Sequence, residues 1–422
     1  MNILIIGSGG REYTLGWKIK QSKKAKNIFF IPGNGGTNLL GKNININILD
    51  FDNIKNFIQK ENIDLVVVGP EQPLIAGITD FLKSNLNKKT IIIGPSQKGA
   101  MLEGSKDFAK QFMQKYNIPT AKYKSFDKNS YLEACKFLEK LQAPYVLKAD
   151  GPAAGKGVLI IDNIEEAKNK LKEIFDGKFG NAGNKVVIEQ FLNGTELSIF
   201  IITDGKNYKI LPSSKDYKRI GEADTGLNTG GMGAVSPVPF VNKNLLKNIE
   251  QKIIIPTIKG LQKENIEYIG FLYFGLMIKD NEAFVIEYNA RLGDPETQVV
   301  IPRIKNDLLE ILIATSTQNL DKIKIEEKEQ TAITIIIASG GYPEKYEKNK
   351  IISGLENSSD CLIFHAGTSL KQNKFYTNGG RVLAITAFGS NINEARNIAY
   401  NTVNKINFDK KYYRKDIGLD LI

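Results

Sequence analysis

YVLKADGPAAGKGVLI, residues 145–160, sets a lysine and a run of small residues holding three glycines between two apolar segments. The phosphate loop of P-loop enzymes needs four residues between its glycines, then Lys followed by Ser or Thr, because that hydroxyl ligates magnesium. Here only three residues stand between Gly151 and Gly155, and Gly157 follows Lys156, so that reading fails. A further apolar run, VVIEQFLNGTE, ends in carboxylates downstream. The loop is therefore expected to join two β-strands instead of opening a helix. A glycine-rich hairpin with exposed N–H groups and a lysine suits a lid closing over a triphosphate. Taken alone, the segment also reads as an ordinary glycine turn.

The surrounding chain narrows the choice. Its 422 residues, 42% hydrophobic, exceed what one core usually sustains, so two to four structural units are expected. The net charge of +11 comes from lysines scattered among Asn and Ile, as in KKAKNIFF. Without clustered cations it implies no nucleic-acid partner. Two cysteines and one histidine exclude a cysteine-rich zinc site and leave any Ser-His-Asp triad to rest on His365 alone. That residue lies in the strand-like CLIFHAGT and reads as structural. No apolar run approaches the ~18 residues of a membrane span, and a cytoplasmic, soluble protein is expected.

Four β-branched runs in the first hundred residues, NILIIG, IFFIPGNGG, DLVVVGPEQP and TIIIGPS, each end in a Gly or Pro loop with helical segments between. That alternation predicts a parallel sheet covered by helices on both faces, with ligands gathering at the carboxyl ends of the strands. GSGGREY matches the first two glycines of the dinucleotide fingerprint but has Glu12 at the third, where a carboxylate would face a pyrophosphate. The N–H groups of Gly9, Gly10 and Arg11 can still receive a single phosphate at the helix start. A tight strand-to-helix turn is the equal alternative.

From residue 104, GSKDFAKQFMQKYNIP predicts a helix capped by Ser105 and stopped by Pro119, with Lys106 in a first turn whose dipole disfavours it unless it meets a phosphate. A small α+β unit follows to about residue 192. SSKDYKRIGEADTGLNTGGMGAVSP (213–237) is too polar for a core and too long for an idle loop. In GFLYFGLMIKDNEAFVIEYNARLGDPETQ (270–298), two strands are expected around KDNE. Glu287 and Asn289, two apart, then point to one face and suit magnesium, although such a pair is often coincidental. The last hundred residues predict an α+β cap whose final helix buries Ile392, Ala395, Ala399, Val403 and Ile406.

From GSGGRE through PGNGGT, VGPEQPL, LEGSKDF, LKADGPAAGKGV, IEQFLNGTE, KDYKR, DTGLNTGGMGA and RLGDPETQ to FHAGT and TNGGRV, the chain resembles the phosphoribosylamine–glycine ligase family of the ATP-grasp superfamily. The resemblance covers almost the whole chain, and RLGDPETQ and NTGGMGA are its most specific elements. It implies a mixed α/β and α+β multidomain fold: a parallel-sheet, Rossmann-like substrate-binding domain (1–103), an ATP-grasp body (104–121 and 193–325), a lid inserted in it (122–192) and a cap (326–422).

By the same resemblance Gly151, Gly155, Lys156 and Gly157 cover the ATP phosphates, with Lys106 and Lys148 beneath them. Glu189 and Leu192 form the adenine hinge, Glu196 takes the ribose hydroxyls, and Arg219 and Asn228 contact the nucleotide. Glu287 and Asn289 ligate magnesium, or manganese in its place. Arg291 is the candidate for stabilising the acyl phosphate and tetrahedral intermediate, and Asp294 for the glycine ammonium. Gly9, Gly10, Arg11 and Glu12 line the substrate loop. The implied reaction joins glycine to 5-phosphoribosylamine through glycyl phosphate, with ATP as co-substrate. Its partners are small molecules, and a monomer is expected. Another ATP-grasp carboxylate–amine ligase, or a catalytically weak nucleotide-binding relative, are the competing readings. Three departures stand out: Tyr13 and Tyr217 occupy positions where the family commonly has His, and Pro152 replaces a usual Leu. Tyrosine donates a hydrogen bond but carries no positive charge. An active enzyme with weakened substrate affinity is the expectation.

Overall fold

The computed structural model describes residues 1–87, 89–151, 157–357 and 360–422. Its first sheet has five parallel strands in the order Lys42–Asn43, Asn27–Pro32, Asn2–Gly7, Leu65–Val68 and Ile91–Ile93. Side chains alternate across such a strand, so Ile3 and Ile5 enter one apolar core while Leu4 and Ile6 enter another on the opposite face. Burial on both faces is why these strands read as unbroken apolar runs.

The stretch from Tyr145 forms the expected hairpin. Strands Tyr145–Ala149 and Val158–Ile161 pair antiparallel, and Ala149 donates its N–H to the Gly157 carbonyl at 2.8 Å across the base of the loop. Tyr123–Asp127 and Lys185–Gln190 complete a four-stranded sheet, which the helices Tyr131–Leu138 and Ile164–Glu173 cover through Leu138, Ala167 and Leu171. Pro152, and the lid residues Gly155 and Lys156, lie outside the described residues.

A second antiparallel sheet, Tyr208–Ile210, Thr195–Thr203, Gly270–Lys279 and Glu282–Asn289, forms the body beneath this lid. The helix Lys106–Lys115 begins as the sequence predicts: Ser105 Oγ accepts the Phe108 N–H at 3.1 Å. The Asp150 carboxylate accepts the Asp107 N–H at 2.8 Å and so fastens the root of the lid hairpin to that helix.

The polar stretch 213–237 departs from the single loop its composition suggests. Lys215–Asp216 and Gly233–Ser236 become strands of the C-terminal sheet, which continues through Thr331–Ser339, Arg381–Gly389 and Leu362–His365. Between them Arg219–Gly221 and Thr225–Asn228 make a small hairpin. The C-terminal sheet therefore draws on chain from both sides of residue 325. The helix Ile392–Lys405, capped by Asn391, lays Ala395, Ala399 and Val403 on this sheet as its periodicity requires.

Candidate active site

The cleft lies where the lid sheet faces the body sheet. Lys148, on the central lid strand, reaches across it and donates to the Ile286 carbonyl of the body at 3.2 Å. On the body strand Glu282–Asn289, alternation puts Glu287 and Asn289 on one face. Gly275 opposes Glu287 on the neighbouring strand, and a Cβ there would stand 2.9 Å from the Glu287 Cγ, so the glycine makes room for that side chain.

Electrostatics gather on this pair. Burial works against the charge of Glu287, yet Lys218, Lys148 and Lys106 together hold its carboxyl below the usual range. Lys106 is lowered chiefly by burial, with Glu287 opposing, and donates to the Gly151 carbonyl at 3.4 Å. Lys218 ion-pairs with Glu196 at 2.7 Å and lies 3.8 Å from Glu287. In the amide orientation that satisfies its neighbours, Asn289 donates to Glu103 Oε1 at 3.2 Å and to the Tyr288 carbonyl at 3.0 Å, which keeps its oxygen as an acceptor. One carboxylate and one amide oxygen side by side fit a magnesium ion that shares its remaining positions with phosphate and water. Among the described residues there is no cluster of three His, Cys, Asp or Glu that would hold a metal by itself.

The adenine-hinge position is built from buried charge. Glu189, 3% exposed, has Lys110 Nζ at 3.0 Å from Oε2 and Lys148 Nζ at 3.0 Å from Oε1. The two ammonium groups together hold the carboxyl below the usual range despite its burial. Leu192 is half-buried just beyond this strand. Arg219 and Asn228, nine positions apart in sequence, face each other as cross-strand partners, and Arg219 Nη1 donates to the Gly226 carbonyl at 2.8 Å.

A second cationic wall forms where the parallel sheet meets the loop after Asn289. Arg291 ion-pairs with Glu103 at 2.7 Å and stands 3.4 Å from Glu71, while its Nε is buried without a hydrogen-bond partner among the described residues. Burial, only partly offset by Arg291, raises Glu103 to about 7. Asp294 accepts the Arg11 N–H at 3.0 Å and the Gln298 amide at 3.0 Å, and lies 3.3 Å from Arg381.

In the first loop, Glu12 is 1% exposed and turns back on its own helix, accepting the Gly9 N–H at 2.6 Å and Arg11 Nε at 2.7 Å. Of the three N–H groups expected to meet a phosphate, those of Gly9 and Arg11 are bonded to carboxylates of the protein, and Gly10's has no partner among the described residues.

Lys110, Lys218, Glu103 and Arg381 were not singled out from the sequence. Glu103, Lys218 and Arg381 lie inside the LEGSKDF, KDYKR and TNGGRV segments, whereas the signal for Lys110 is its place one helical turn beyond Lys106 on the same helix. The tyrosines at the two departures face away from this chemistry. Tyr13 packs on Phe364 and His365, and Tyr217, 3% exposed, donates its hydroxyl to Asp420 at 2.6 Å.

A lid sheet over an antiparallel body, with lysines and a Glu–Asn pair between them, defines the chain as an ATP-grasp protein. The family models for the N domain, the ATP-grasp (A) domain and the C domain of phosphoribosylglycinamide synthetase match residues 1–103, 104–297 and 332–420. The chain is 46% identical to the phosphoribosylamine–glycine ligase of Fusobacterium nucleatum over 99% of its own length and 98% of that protein's. It is 45% identical to the ligase of the same name from Caldanaerobacter subterraneus, over 99% of both chains. The crystal structure of phosphoribosylamine–glycine ligase from Thermotoga maritima superimposes with a TM-score of 0.86 at 35% identity, covering 99% of this chain and 100% of that one. A biotin carboxylase from Campylobacter jejuni, 14% identical with a TM-score of 0.74, shares the fold. The chain belongs to the phosphoribosylglycinamide synthetase family.

Proposed function

We propose that this chain joins glycine to 5-phosphoribosylamine at the expense of ATP, giving glycinamide ribonucleotide, ADP and phosphate in purine biosynthesis. The observation that carries this reading is the full-length identity, 46% over 99% of the chain, to a relative that bears that activity in its name. The cleft supplies supporting chemistry.

A glycine carboxylate oxygen attacks the γ-phosphorus and ADP leaves; the amine nitrogen then attacks the acyl carbon and phosphate leaves. Neither step needs a covalent nucleophile from the protein, which accords with a chain holding one histidine. Both need positioning and charge neutralisation. Lys106 and Lys148 take the phosphates, Glu189 accepts from the adenine amine, and Glu196 faces the ribose. Glu287 and Asn289 would hold magnesium or manganese, which when bound neutralises phosphate charge. Arg291, whose Nε stands 3.4 Å from Glu71 and makes no hydrogen bond among the described residues, takes the developing charge of the acyl phosphate. Asp294, already engaged by Arg11, Gln298 and Arg381, holds these loops together and contributes to the glycine site through them. Lid closure keeps water from the acyl phosphate.

ADP release measured with MgATP, glycine and freshly generated phosphoribosylamine, each omitted in turn, tests the proposal. Turnover that needs all three supports it, whereas equal ADP release without the amine or without glycine refutes it.

A further inference from the structure

Two buried carboxyl groups stand unpaired where the two walls of the cleft meet. Asp216, 8% exposed, ends the strand Lys215–Asp216, and Glu296, 4% exposed, caps the helix that follows the Arg291 loop. Among the described residues neither carboxyl makes an ion pair, and neither has a hydrogen-bond donor beyond its own N–H. They share one space: the charge of Asp216 acts on Glu296, and the hydroxyl of Tyr273, 2% exposed, lies among Asp216, Glu296, Lys218 and Glu287. Gly293 makes room for the longer side chain, since a Cβ there would stand 2.4 Å from Glu296 Oε2. Burial raises Glu296 to about 8 and Asp216 to about 6, although Lys218 pulls both down. The nearby cations have closer partners. Lys218 is engaged by Glu196 at 2.7 Å, Arg291 by Glu103 at 2.7 Å and Arg381 by Asp294 at 3.3 Å. A buried carboxylate without its own cation is costly. Two of them from separate elements therefore point to a cation supplied from outside the chain.

We propose that Asp216 and Glu296 receive the ammonium group of glycine between them, with the substrate's carboxylate turned toward Arg291. The inference rests on the ligase reading above and deepens it. An ammonium offers three N–H donors and no acceptor, which matches two ionised carboxylates that accept and never donate. A metal ion matches less well, because no three His, Cys, Asp or Glu side chains gather among the described residues. The other amine of the reaction is also a poor match. Its nitrogen must keep a free lone pair to attack, whereas paired anions hold a nitrogen protonated. The glycine nitrogen takes no part in the bond that forms and can stay charged. Arg291 feels both Glu296 and Glu287, so one guanidinium lies within reach of the ammonium site and of the metal-ligand pair. Asp294, the residue its motif suggested for this role, is already taken. Its carboxylate accepts from the Arg11 N–H and Gln298 and pairs with Arg381.

The test is the KM for glycine, MgATP and phosphoribosylamine in the wild type, Glu296→Gln and Asp216→Asn, with thermal melts of each protein. Each amide should raise the glycine KM by roughly tenfold or more, the scale of a hydrogen bond to a charged group. The KM for MgATP and for phosphoribosylamine should stay within about twofold, and high glycine should restore turnover. Because each change removes a buried charge that has no partner in the chain, the melting midpoint should hold or rise. A structural role predicts the opposite, a lower midpoint with all three KM values moving together, and that result overturns the proposal. So does a glycine KM left unchanged, or a loss of turnover that high glycine does not restore. A rise confined to phosphoribosylamine gives the carboxyls to the other amine, and a rise confined to the magnesium requirement gives them to a metal; either refutes the assignment. Asp216→Asn carries the test if Glu296→Gln does not fold. A wild type whose ADP release ignores glycine overturns the ligase reading itself, and the proposal with it.

Discussion

Arg381 and Asp294 lie 3.3 Å apart as an ion pair, and Arg381 Nη1 also donates to the Asp294 carbonyl at 2.6 Å and to the Gly230 carbonyl at 2.6 Å. One guanidinium of the C-terminal sheet thus clasps the loop after the strand Glu282–Asn289 to the polar stretch, and Asp294 passes the hold on to the Arg11 N–H. Arg381→Ala leaves Asp294, 12% exposed, with one cation fewer. We expect a stability loss toward the lower end of the ~3–5 kcal/mol seen when a buried pair loses a partner. Turnover should fall with it as three loops slacken. Urea denaturation and initial rates check this, and unchanged values for both would dismiss the clasp.

Replacing Glu287 by Ala removes the charged member of the Glu–Asn pair. ADP formation should fall by more than the ~10–100-fold that loss of an outer partner of a metal site typically costs. Asn289→Ala, which removes a neutral ligand, should instead raise the magnesium concentration needed for half-maximal rate. A Glu287→Ala enzyme with near-full turnover at ordinary magnesium would sink the metal assignment.

The parallel sheet, the lid hairpin and the Glu287–Asn289 pair were legible in the sequence because each rests on a short-range rule, namely alternation, spacing or a loop after an apolar run. What was not legible depends on distant partners. Nothing local tells Gly233–Ser236 to pair with Thr331–Ser339, since the choice lies in contacts made about a hundred residues away. Glu12 reads in the sequence as the residue that spoils the dinucleotide fingerprint; that it turns back on its own helix depends on the Gly9 N–H and Arg11 side chain turning toward it. Arg381 meets Asp294 across 87 positions of chain, and Lys110 looks like any surface lysine until Glu189 and Thr120 close over it.

Tyr217 should behave as a structural residue despite its place in the KDYKR segment. Its hydroxyl donates to Asp420 at 2.6 Å and accepts the Gly418 N–H at 3.0 Å, tying the C-terminal residues to the polar stretch. Tyr217→Phe is expected to cost about 1–3 kcal/mol, the range for stranding buried polar groups, while KM for each substrate stays within about twofold. A large rise in a KM without a loss of stability would place the hydroxyl in the substrate site instead.

His365 gives a pH dependence whose sign follows from burial. The ring is 4% exposed, packs 4.5 Å from Phe375 and 5.5 Å from Tyr13, and has Nδ1 3.1 Å from Thr368 Oγ1. Desolvation lowers its pKa from 6.5 to about 4. The unfolded chain therefore binds a proton that the folded one refuses, so the contribution of His365 is whole above pH 6.5 and is lost as pH falls toward 4. A displacement of this size corresponds to about 3 kcal/mol. His365→Gln should lose correspondingly less stability than the wild type between pH 7 and pH 4, read by urea denaturation at both ends. Because the chain has one histidine, its imidazole resonance can be followed without assignment. A folded-state midpoint near 6.5 in that titration would show the ring to be solvated and remove the predicted slope.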